Sequence, residues 1–594
     1  MWKLKRTHTC GELRVSDEGK TVVLNGWVAA RRNFGNLIFV DLRDRSGRTQ
    51  VLFSPDRASN LVAAADQLKA EYVVAVKGIV RKRDADTVNP KVPTGEIEVD
   101  ALELEILNEA KTPPFEISDF LNVSEETRLQ YRYLDLRRPS MQRNIITRHR
   151  ITHAIRESMN EQGFLDIETP YMVKFTPGGA RNFLIPSRLF PGRFFALAES
   201  PQIFKQLFMV AGYDKYFQIA RCFRDEDLRA DRQIEFTQLD LEMSFVEPDD
   251  VIAVVEETLR HVWKKVLNVE VALPFERITY DDAVRHYGVD KPDLRFGMKI
   301  WDVTAAVAGS GFKVFSEAAK QGVVRGLTGP GAAKFTRKET DALETFAKGL
   351  GAKGLVQLKV EEGVKLTGGG VKFLGEKEVA ALVSASGAKP GDMLFLVADS
   401  EELAPAVLGA LRNHLAEKLG LIAPGGFKFC WVVEFPMFEK TDEGIGARHH
   451  PFTSPKDEHL EILEKEPLKV KAKAYDLVLN GVELGGGSIR IHRRDVQHRI
   501  FRLLGLSEEY LKDRFGFFLQ AFEFGAPPHG GIALGLDRMA MLALGLDNIR
   551  DVLTFPKTQK TVDLMTGAPG TVTEKQLKEL HMRIVDDDAT EKKG

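Results

Sequence analysis

The stretch Phe217–Phe245, FQIARCFRDEDLRADRQIEFTQLDLEMSF, predicts two strands joined by a charged loop. In its second half, Gln238, Asp240 and Glu242 alternate with apolar residues, which is the period of a strand with one polar and one apolar face. Such a polar face fits either solvent exposure, the commoner outcome, or the lining of a pocket. The loop after Arg224, DEDLRADR, favours a pocket, because we expect it to be too charged to fold on itself.

Arg224, at the base of this loop, suits an anion such as a polyphosphate, because a guanidinium group offers a planar fork to phosphate oxygens. The run FRDEDLRADRQIEFTQLDLE resembles the motif 2 hairpin of class II aminoacyl-tRNA synthetases, in the form found in bacterial-type aspartyl-tRNA synthetases. The resemblance covers nearly the whole chain. It implies an α+β multidomain protein with an N-terminal OB-fold β-barrel and an antiparallel-sheet catalytic domain that carries an inserted α+β domain.

Length and composition set bounds that agree with this fold. A chain of 594 residues is too long for one core, so we expect three or more domains. The formal charge of −2 excludes a uniformly basic nucleic-acid binder but not a basic patch on one domain. Cys10, Cys222 and Cys430 lie far apart, which favours a reduced cytoplasmic setting over a disulfide or zinc framework. Without a long apolar run or a signal-peptide core, we expect neither export nor membrane insertion.

The first 110 residues predict five short strands between Thr21 and Leu107, with a helix at about 56–68 after the third strand. This order fits an OB-fold barrel, which binds oligonucleotides across strands 2 and 3; the alternative is a barrel with an ordinarily charged surface. The resemblance makes it an anticodon-binding domain. The predicted anticodon contacts are Arg31, Arg32, Phe34, Phe39 and Gln50. The segment Ala30–Phe34 differs from the more basic loop of most relatives, so charging of tRNA-Asn beside tRNA-Asp stays open.

A proline-stiffened connector, Lys111–Phe115, marks a boundary. The sequence then predicts a helix over about 141–160, with Ile151, Ile155 and Met159 on one stripe and Gly163 as its stop. The following GFLDIETP resembles motif 1, which builds the class II dimer interface, and so implies a homodimer. Without the resemblance it would be ordinary core.

The segment ESPQIFK predicts a helix that begins with Ser200 as N-cap and Pro201 at the first helical position. Gln202 and Lys205 then share one face. A lysine there is usually solvated, but the resemblance implies that Lys205 faces the side-chain carboxylate of a bound aspartate. Such a site is selective, because an uncharged competitor leaves the lysine unpaired.

The segment Tyr475–Gly485 predicts a hairpin, because Asn-Gly between apolar runs is a strong two-residue turn signal. The expected register pairs Val478 with Glu483 and Asp476 with Gly485, so that both acids lie on one face about 7–8 Å apart. The alternative is two unrelated acids on an exposed face. The glycines that follow favour close approach of a ligand. Asp476 and Glu483 are therefore the candidate Mg²⁺ ligands, which would bridge to ATP phosphates.

The run GGIALGLDRM at Gly530–Met539 resembles motif 3, where Arg538 would stack on a base or meet a phosphate. A lone glycine-rich strand–helix junction is a weak signal, but its order after motifs 1 and 2 strengthens it. The resemblance also implies that Arg490 pairs with the substrate carboxylate and that His449 lies in a substrate loop. Taken alone, His449 would be a structural histidine.

The resemblance implies a full set of site residues. Arg224 and Arg538 would be catalytic. The aspartate-binding residues would be Gly178, Glu199, Ser200, Gln202, Ile203, Phe204, Lys205, Arg224, Asp240, His449 and Arg490. The ATP-binding residues would be Arg224, Asp225, Glu226, Gln233, Glu483, Gly535, Leu536, Asp537 and Arg538.

One pair of positions departs from the family pattern. Gly178 stands where relatives carry a glutamate that closes over the substrate's ammonium, and Glu199 stands where most have glutamine. We therefore predict that Glu199 takes over this contact, since a buried ammonium without an anion is costly. The alternative is that Glu199 only supports the helix N-terminus.

The predicted organisation is an OB-fold domain (1–110), a hinge (111–135), two parts of a catalytic domain (136–285 and 423–560), an insertion between them (286–422) and a polar C-terminal extension (561–594). The predicted activity is aspartate–tRNA ligation with ATP and Mg²⁺, without zinc. The rivals are an asparagine or lysine ligase of the same subclass and an inactive tRNA-binding paralogue. Lys205 and Arg490 favour the anionic amino acid.

Overall fold

The computed structural model describes residues 2–57, 59–175, 181–442 and 444–585. The chain forms two compact units, one of Met1–Ile146 with Arg550–Gly570 and one of Thr147–Ile549 with Thr571–Gly594. The domain boundaries expected from the sequence stay predictions.

The first unit contains a closed barrel with strand order β1-β2-β3-β5-β4, so the expected OB-fold architecture is confirmed. Buried and partly exposed residues alternate along β2, because successive strand side chains point to opposite faces. The helix α1 begins at Ser59, three residues later than expected. The strands are β1 (Thr21–Phe34), β2 (Leu37–Asp44), β3 (Gly47–Phe53), β4 (Val73–Lys82) and β5 (Ile97–Asn108), and the helices are α1 (Ser59–Asp66), α2 (Glu125–Gln130) and α3 (Arg132–Asp135).

A buried arginine ties the two chain segments of this unit together. The guanidinium of Arg132 donates to the carbonyl oxygens of Arg550 (2.7 Å), Leu553 (2.7 Å) and Thr554 (2.9 Å). Asp135, also fully buried, pairs with Arg132 and Arg138. The polarity of the C-terminal sequence did not indicate that Arg550–Gly570 would join this unit.

The long helix expected near 141–160 belongs to the second unit from Thr147 onward. Ile151, Ile155 and Met159 are fully buried, and Gly163 at φ +81° follows the helix, so the predicted stripe and stop are confirmed. The strands are β6 (Leu165–Asp166), β7 (Met172–Val173), β8 (Leu184–Pro186), β9 (Phe194–Leu197), β10 (Lys215–Phe223), β11 (Glu235–Ser244), β12 (Glu276–Thr279), β13 (Trp301–Asp302), β14 (Val323–Gly329), β15 (Val356–Glu361), β16 (Lys365–Gly368), β17 (Met393–Asp399), β18 (Phe429–Val433), β19 (Phe438–Thr441), β20 (Gly444–Ala447), β21 (Ala474–Leu479), β22 (Val482–Ile489) and β23 (His529–Gly535). The helices are α4 (Pro139–Glu161), α5 (Gln202–Val210), α6 (Pro248–Val262), α7 (Tyr280–Tyr287), α8 (Thr304–Val307), α9 (Lys313–Gln321), α10 (Arg337–Gly349), α11 (Glu376–Ser386), α12 (Leu403–Lys418), α13 (Arg494–Leu503), α14 (Glu508–Ala521), α15 (Leu536–Ala543) and α16 (Glu574–Glu579).

An eight-stranded sheet, in the order β12-β18-β21-β22-β23-β11-β10-β6, forms the centre of this unit. It is antiparallel except at its two edges, where β12 pairs with β18 and β6 with β10 in parallel. The predicted hairpin of Phe217–Phe245 is β10 and β11. Gln238, Asp240 and Glu242 are all buried in β11, so the polar face is not exposed, and Gln238 and Asp240 line a cavity.

Three local expectations were wrong. The helix α5 begins at Gln202, and Pro201 occupies the cap position without a side-chain hydrogen bond, so Ser200 is not the N-cap. In the β21–β22 hairpin, Val478 pairs with Glu483 as expected, but an irregularity then pairs Asp476 with Gly486 instead of Gly485, because β22 carries one extra residue. The charged loop after Arg224 does fold back, through an ion pair of Glu226 with Arg232 at 2.8 Å.

A separate five-stranded sheet, β13-β14-β17-β15-β16, occupies most of the stretch expected to be an insertion. Arg412 of α12 is buried beside it and donates to the carbonyl oxygens of Asp293 (2.8 Å) and Met298 (2.9 Å). This anchors α12 to the start of the stretch. Within the described residues, no helix combines the length and the apolar character needed to cross a membrane.

Candidate active site

A cavity of about 740 Å³ opens over the central strands of the second unit. Its walls come from α5, the β10–β11 hairpin, the 448–453 loop, the β21–β22 hairpin and the β23–α15 junction. The sheet thus gathers residues from all of the motifs that the sequence singled out, apart from the motif 1 segment.

Four buried charges of alternating sign pair with each other at one side of this cavity; Lys205, Asp240 and Arg490 line it, and Glu242 lies behind them. The ammonium of Lys205 lies 2.6 Å from Asp240 Oδ1 and 3.2 Å from Glu242 Oε2. Arg490 Nε donates to Glu242 Oε1 at 2.9 Å, and Arg490 Nη1 donates to Ser488 Oγ at 2.7 Å. Glu242 therefore bridges the two cations, and it holds Lys205 and Arg490 on the same side of the pocket.

The electrostatics of this cluster follow from burial and pairing. Burial alone would raise the pKa of Glu242, but Arg490 and Lys205 lower it below its usual value. Burial raises the pKa of Asp240, against the opposing effect of Lys205. Burial would lower the pKa of Arg490, but Glu242 raises it. Glu242 is thus the firmly ionised partner of Arg490, and the side chains of Lys205 and Arg490 both reach the cavity, where they can meet an anionic group.

Two glycines make room for these carboxylates. A Cβ on Gly531 would lie 2.1 Å from Glu242 Oε2 and 2.1 Å from the Leu241 carbonyl oxygen. A Cβ on Gly486 would lie 2.4 Å from Asp476 Oδ1. The glycine runs that the sequence associated with ligand approach therefore also make room for the acidic side chains of Glu242 and Asp476.

Three polar nitrogens that face the cavity have no hydrogen-bond partner among the described residues. They are Arg224 Nε, Gln202 Nε2 and His449 Nε2, and all three atoms are buried. The Arg224 guanidinium lies over the Phe236 ring at 4.9 Å. Since an unsatisfied buried donor is costly, these groups indicate a polar ligand.

The junction between β23 and α15 carries two charged residues, Asp537 and Arg538, which have different roles. Asp537 is buried and accepts from Arg148 Nη2 (2.6 Å) and from the backbone NH of Thr237 (2.7 Å), so its carboxylate fixes the start of α15. Arg538 donates to the Glu483 carbonyl oxygen at 2.6 Å and lies 3.1 Å from Asp231 Oδ2. Arg538 thus faces the cavity beside the acidic hairpin.

The acidic hairpin presents Asp476 and Glu483 to the same cavity. Burial, and then Glu483, raise the pKa of Asp476 well above its usual value. Two carboxylates in this position repel each other unless a cation joins them. The donor set therefore fits a hard divalent cation. Within the described residues, no group of three or more His, Cys, Asp or Glu residues has metal-ligand geometry.

Most of the expected site residues line the cavity. They are Ser200, Gln202, Lys205, Arg224, Glu226, Gln233, Asp240, His449, Asp476, Glu483, Arg490, Gly535, Asp537 and Arg538.

Other expected residues lie outside the cavity lining. Ile203 packs against an aromatic cluster and Leu536 is fully buried. Asp225 forms a backbone bridge with Arg181. Phe204 is half-buried outside the lining. Gly178 lies outside the described residues.

Glu199 does not line the cavity either. Its Oε1 accepts from Asn182 Nδ2 at 2.9 Å, in the position just before α5.

Sequence reasoning missed several cavity residues. Lys291 comes from the stretch expected to be an insertion, and its charge lowers the pKa of Asp476. His450 also lines the cavity, beside His449. The adjacent histidines in the 448–453 loop were the available signal, but only His449 was chosen. Glu242 was recognised as part of a polar face, but not as the bridge between two cations.

A second cavity, of about 670 Å³, lies in the first unit beside β2 and β3. Four of the five expected anticodon residues line it: Arg32, Phe34, Phe39 and Gln50. Phe34 is two-thirds exposed and meets the Phe39 ring edge-on at 5.8 Å. Arg31 instead pairs with Asp66.

Comparisons with known proteins agree with this architecture. Residues 124–559 match the family of class II tRNA synthetases (D, K and N), and residues 22–107 match the OB-fold nucleic acid binding domain. A protein from Caldanaerobacter subterraneus, named aspartate–tRNA(Asp/Asn) ligase, is 55% identical over 584 residues, which cover 98% of each chain. A Moorella thermoacetica protein of the same name is 56% identical over 98% of this chain and 97% of its own. The crystal structure of asparaginyl-tRNA synthetase from Pyrococcus horikoshii complexed with asparaginyl-adenylate shares the fold, with a TM-score of 0.60 and 20% identity over 94% of this chain and 99% of that one.

Proposed function

The chain belongs to the class II tRNA synthetases of the D, K and N group, and from this premise we propose that it joins L-aspartate to tRNA. The observation that carries the proposal is the buried pair of cations, Lys205 and Arg490, held on one side of the cavity by Glu242. A site with two fixed cations favours a substrate with carboxylates on both its backbone and its side chain. The names of the relatives from Caldanaerobacter subterraneus and Moorella thermoacetica agree with this choice.

In the first step, an oxygen of the α-carboxylate of aspartate attacks the α-phosphorus of ATP. A new carboxyl–phosphate bond forms, the bond to the β-phosphate breaks, and pyrophosphate leaves. In the second step, a hydroxyl of the terminal adenosine of tRNA attacks the carboxyl carbon, AMP leaves, and the hydroxyl proton is released. The chain need supply no nucleophile, so positioning and charge neutralisation carry the reaction.

Arg224 and Arg538 would neutralise the phosphate charge. Arg224 has a buried Nε without a partner among the described residues, and Arg538 lies beside the acidic hairpin. Asp476 and Glu483 would hold Mg²⁺, which supplies charge neutralisation at the phosphates when bound. Lys205 would meet the side-chain carboxylate of the bound aspartate, and Arg490 would meet the other carboxylate of the same substrate.

The remaining aspartate and ATP contacts carry over as predictions. Glu199 would bind the substrate ammonium in place of the missing acid at Gly178, although its Oε1 also accepts from Asn182. Asp240 offers a second carboxylate beside the same pocket. The ATP contacts would be those of the charged loop and of the strand–helix junction.

The barrel would bind the tRNA anticodon. The cavity beside β2 and β3 combines Arg32 with the exposed ring of Phe34 and with Phe39, and base–aromatic stacking with nearby arginines suits single-stranded RNA. Since both relatives are named for tRNA(Asp/Asn), we propose that this chain also charges tRNA-Asn.

We further propose that the protein is a cytoplasmic homodimer. Exposed apolar side chains between residues 165 and 195 support a dimer: Leu165, Tyr171, Met172, Leu184, Leu189, Phe190, Phe194 and Phe195. Four of them lie on the three-stranded sheet β7-β9-β8: Met172, Leu184, Phe194 and Phe195. Exposed apolar side chains on one sheet are typical of a protein interface. The mass in solution by light scattering would test it, and a monomer at micromolar concentration would overturn it.

The test of the proposed function is ATP–pyrophosphate exchange with the purified full chain. Aspartate should support exchange, and asparagine and lysine should not. Exchange that depends on asparagine or lysine would establish a rival ligase, and no exchange with any of the three would establish an inactive tRNA-binding paralogue. Aminoacylation of purified tRNA-Asp and tRNA-Asn, measured separately, then decides whether both are substrates.

A further inference from the structure

We propose that His529 is a positioning residue for the amino-acid side of the active site, and that it sets the distance between Lys205 and Arg490 without touching the substrate. The inference rests on the proposed function, because it concerns the same pocket. His529 is fully buried at the first position of β23 and does not line the cavity.

The backbone of His529 is joined to both neighbouring strands. Its carbonyl oxygen accepts from the backbone NH of Arg490 at 2.8 Å. On its other side, His529 pairs with Ser244 at the end of β11, two residues after Glu242. His529 is therefore attached directly to the residue that carries one of the two pocket cations.

The two ring nitrogens of His529 have different partners. Nδ1 lies 2.7 Å from the Pro527 carbonyl oxygen and must donate its proton there. Nε2 lies 3.1 Å from the side-chain amide of Gln206. Burial lowers the pKa of His529, against the opposing effect of Glu242, so the ring is neutral and Nε2 must accept. The Gln206 atom that faces Nε2 is Oε1. A half-turn of the amide presents its NH₂ group to Nε2 instead, and this hydrogen bond replaces the longer 3.4 Å contact between Gln206 Nε2 and the Gln202 carbonyl oxygen.

Gln206 carries this contact into α5. It is fully buried and follows Lys205 directly in the helix. The hydrogen bond from Gln206 to His529 therefore fixes the turn of α5 that holds Lys205. Gln206 thus links α5, which carries Lys205, to β23, which lies next to Arg490.

The surroundings of His529 are consistent with a single hydrogen bond, to Gln206, within an otherwise apolar contact between β23 and α5. The ring meets Phe522 edge-on at 6.2 Å. The charged or titratable groups that act on it are Glu242, Arg490 and His492. A histidine that served only to fill this space would need no partner on α5, whereas this one makes a second hydrogen bond across the sheet–helix boundary.

Two substitutions separate the hydrogen bonds of the ring. In His529→Asn, the short amide can still donate to the Pro527 carbonyl but cannot reach Gln206. In His529→Gln, the longer side chain can place its oxygen near the position of Nε2 and accept from Gln206. We expect His529→Asn to raise the KM for aspartate about tenfold, the effect of one buried hydrogen bond, with the KM for ATP changed less than about twofold. His529→Gln should have an aspartate KM close to that of the unsubstituted protein.

Gln206→Met gives an independent check, because it removes the same hydrogen bond from the helix side. It should raise the aspartate KM as His529→Asn does, and the double variant should be no worse than either single variant, because the two act through one contact. Phe522→Leu is the matched control: it changes the apolar packing around the ring, and should lower thermal stability while leaving the aspartate KM unchanged.

The outcomes distinguish this inference from the proposed function. If the unsubstituted protein shows no aspartate-dependent exchange, the proposed function fails. If it is active and both His529→Asn and Gln206→Met keep its aspartate KM, the positioning role alone is overturned. An equal rise in the aspartate KM for Phe522→Leu would also overturn it, since packing would then explain the effect. Should His529→Asn fail to fold, the Gln206→Met comparison decides.

Discussion

Replacing Arg224 by alanine should abolish adenylate formation while leaving the fold intact. In the structure, the Arg224 guanidinium lies over Phe236 at 4.9 Å, and its buried Nε has no hydrogen-bond partner among the described residues. A cation–π contact of this kind contributes about 0.5–1 kcal/mol. The backbone NH of Arg224 donates to the Ile234 carbonyl oxygen at 2.8 Å, and alanine keeps this bond. We therefore expect a loss of stability below about 1 kcal/mol.

The expected catalytic loss is much larger. A guanidinium that binds phosphate through two charge-assisted hydrogen bonds contributes roughly 1.5–3 kcal/mol for each, or about 3–6 kcal/mol together. At about 1.4 kcal/mol for each tenfold change, Arg224→Ala should lower kcat/KM for ATP by roughly 10²–10⁴. Arg224→Lys should fall between, because it restores the charge but not the planar fork.

The assay is ATP–pyrophosphate exchange at saturating aspartate, with thermal unfolding of each variant. Arg221→Ala is the matched control. Arg221 lies three residues earlier on β10 and pairs with Glu235 at 3.3 Å, but does not line the cavity, so its loss should leave exchange nearly unchanged. Exchange by Arg224→Ala within about threefold of the unsubstituted protein, or an equal loss in Arg221→Ala, would refute the reasoning.

Three further predictions concern the pocket. If Glu199 binds the substrate ammonium, Glu199→Gln should raise the KM for aspartate but not for ATP. Adding Gly178→Glu should then return the aspartate KM to its original value. An unchanged aspartate KM with slightly lower thermal stability would instead favour the alternative that Glu199 only supports the helix N-terminus. Gly531→Ala should cost about 1–3 kcal/mol of stability in denaturant unfolding and raise the aspartate KM, because its Cβ would displace Glu242; a variant with normal stability and KM would contradict this. His449 has its pKa lowered to about 4 by burial and, to a lesser extent, by Arg448, so below about pH 6.5 the unfolded chain binds the extra proton and the free energy of unfolding falls as the pH drops. His449→Asn should flatten this decline between pH 6.5 and 4, and an equally steep decline in the variant would disprove it.

Local patterns in the sequence were sufficient for several elements of this protein. The alternation in β11, the five short strands of the barrel and the stripe of Ile151, Ile155 and Met159 each reflect a periodicity that neighbouring residues impose on each other. The Asn-Gly turn likewise predicted the β21–β22 hairpin and its first pairs. These features depend on residues close in the chain, so a pattern read along the chain can identify them.

The tertiary structure alone decided how the side chains of the site are used. Lys205, Glu242 and Arg490 are far apart in the chain, and only the order of strands in the sheet makes Glu242 the bridge between the two cations. The extra residue in β22 moved the partner of Asp476 from Gly485 to Gly486, and the carboxylate of Asp537 proved to be occupied by Arg148 and Thr237. A contact between distant residues leaves no periodic trace in the sequence, because its geometry depends on the packing of both elements, and so the pairing of the buried charges had to come from the fold.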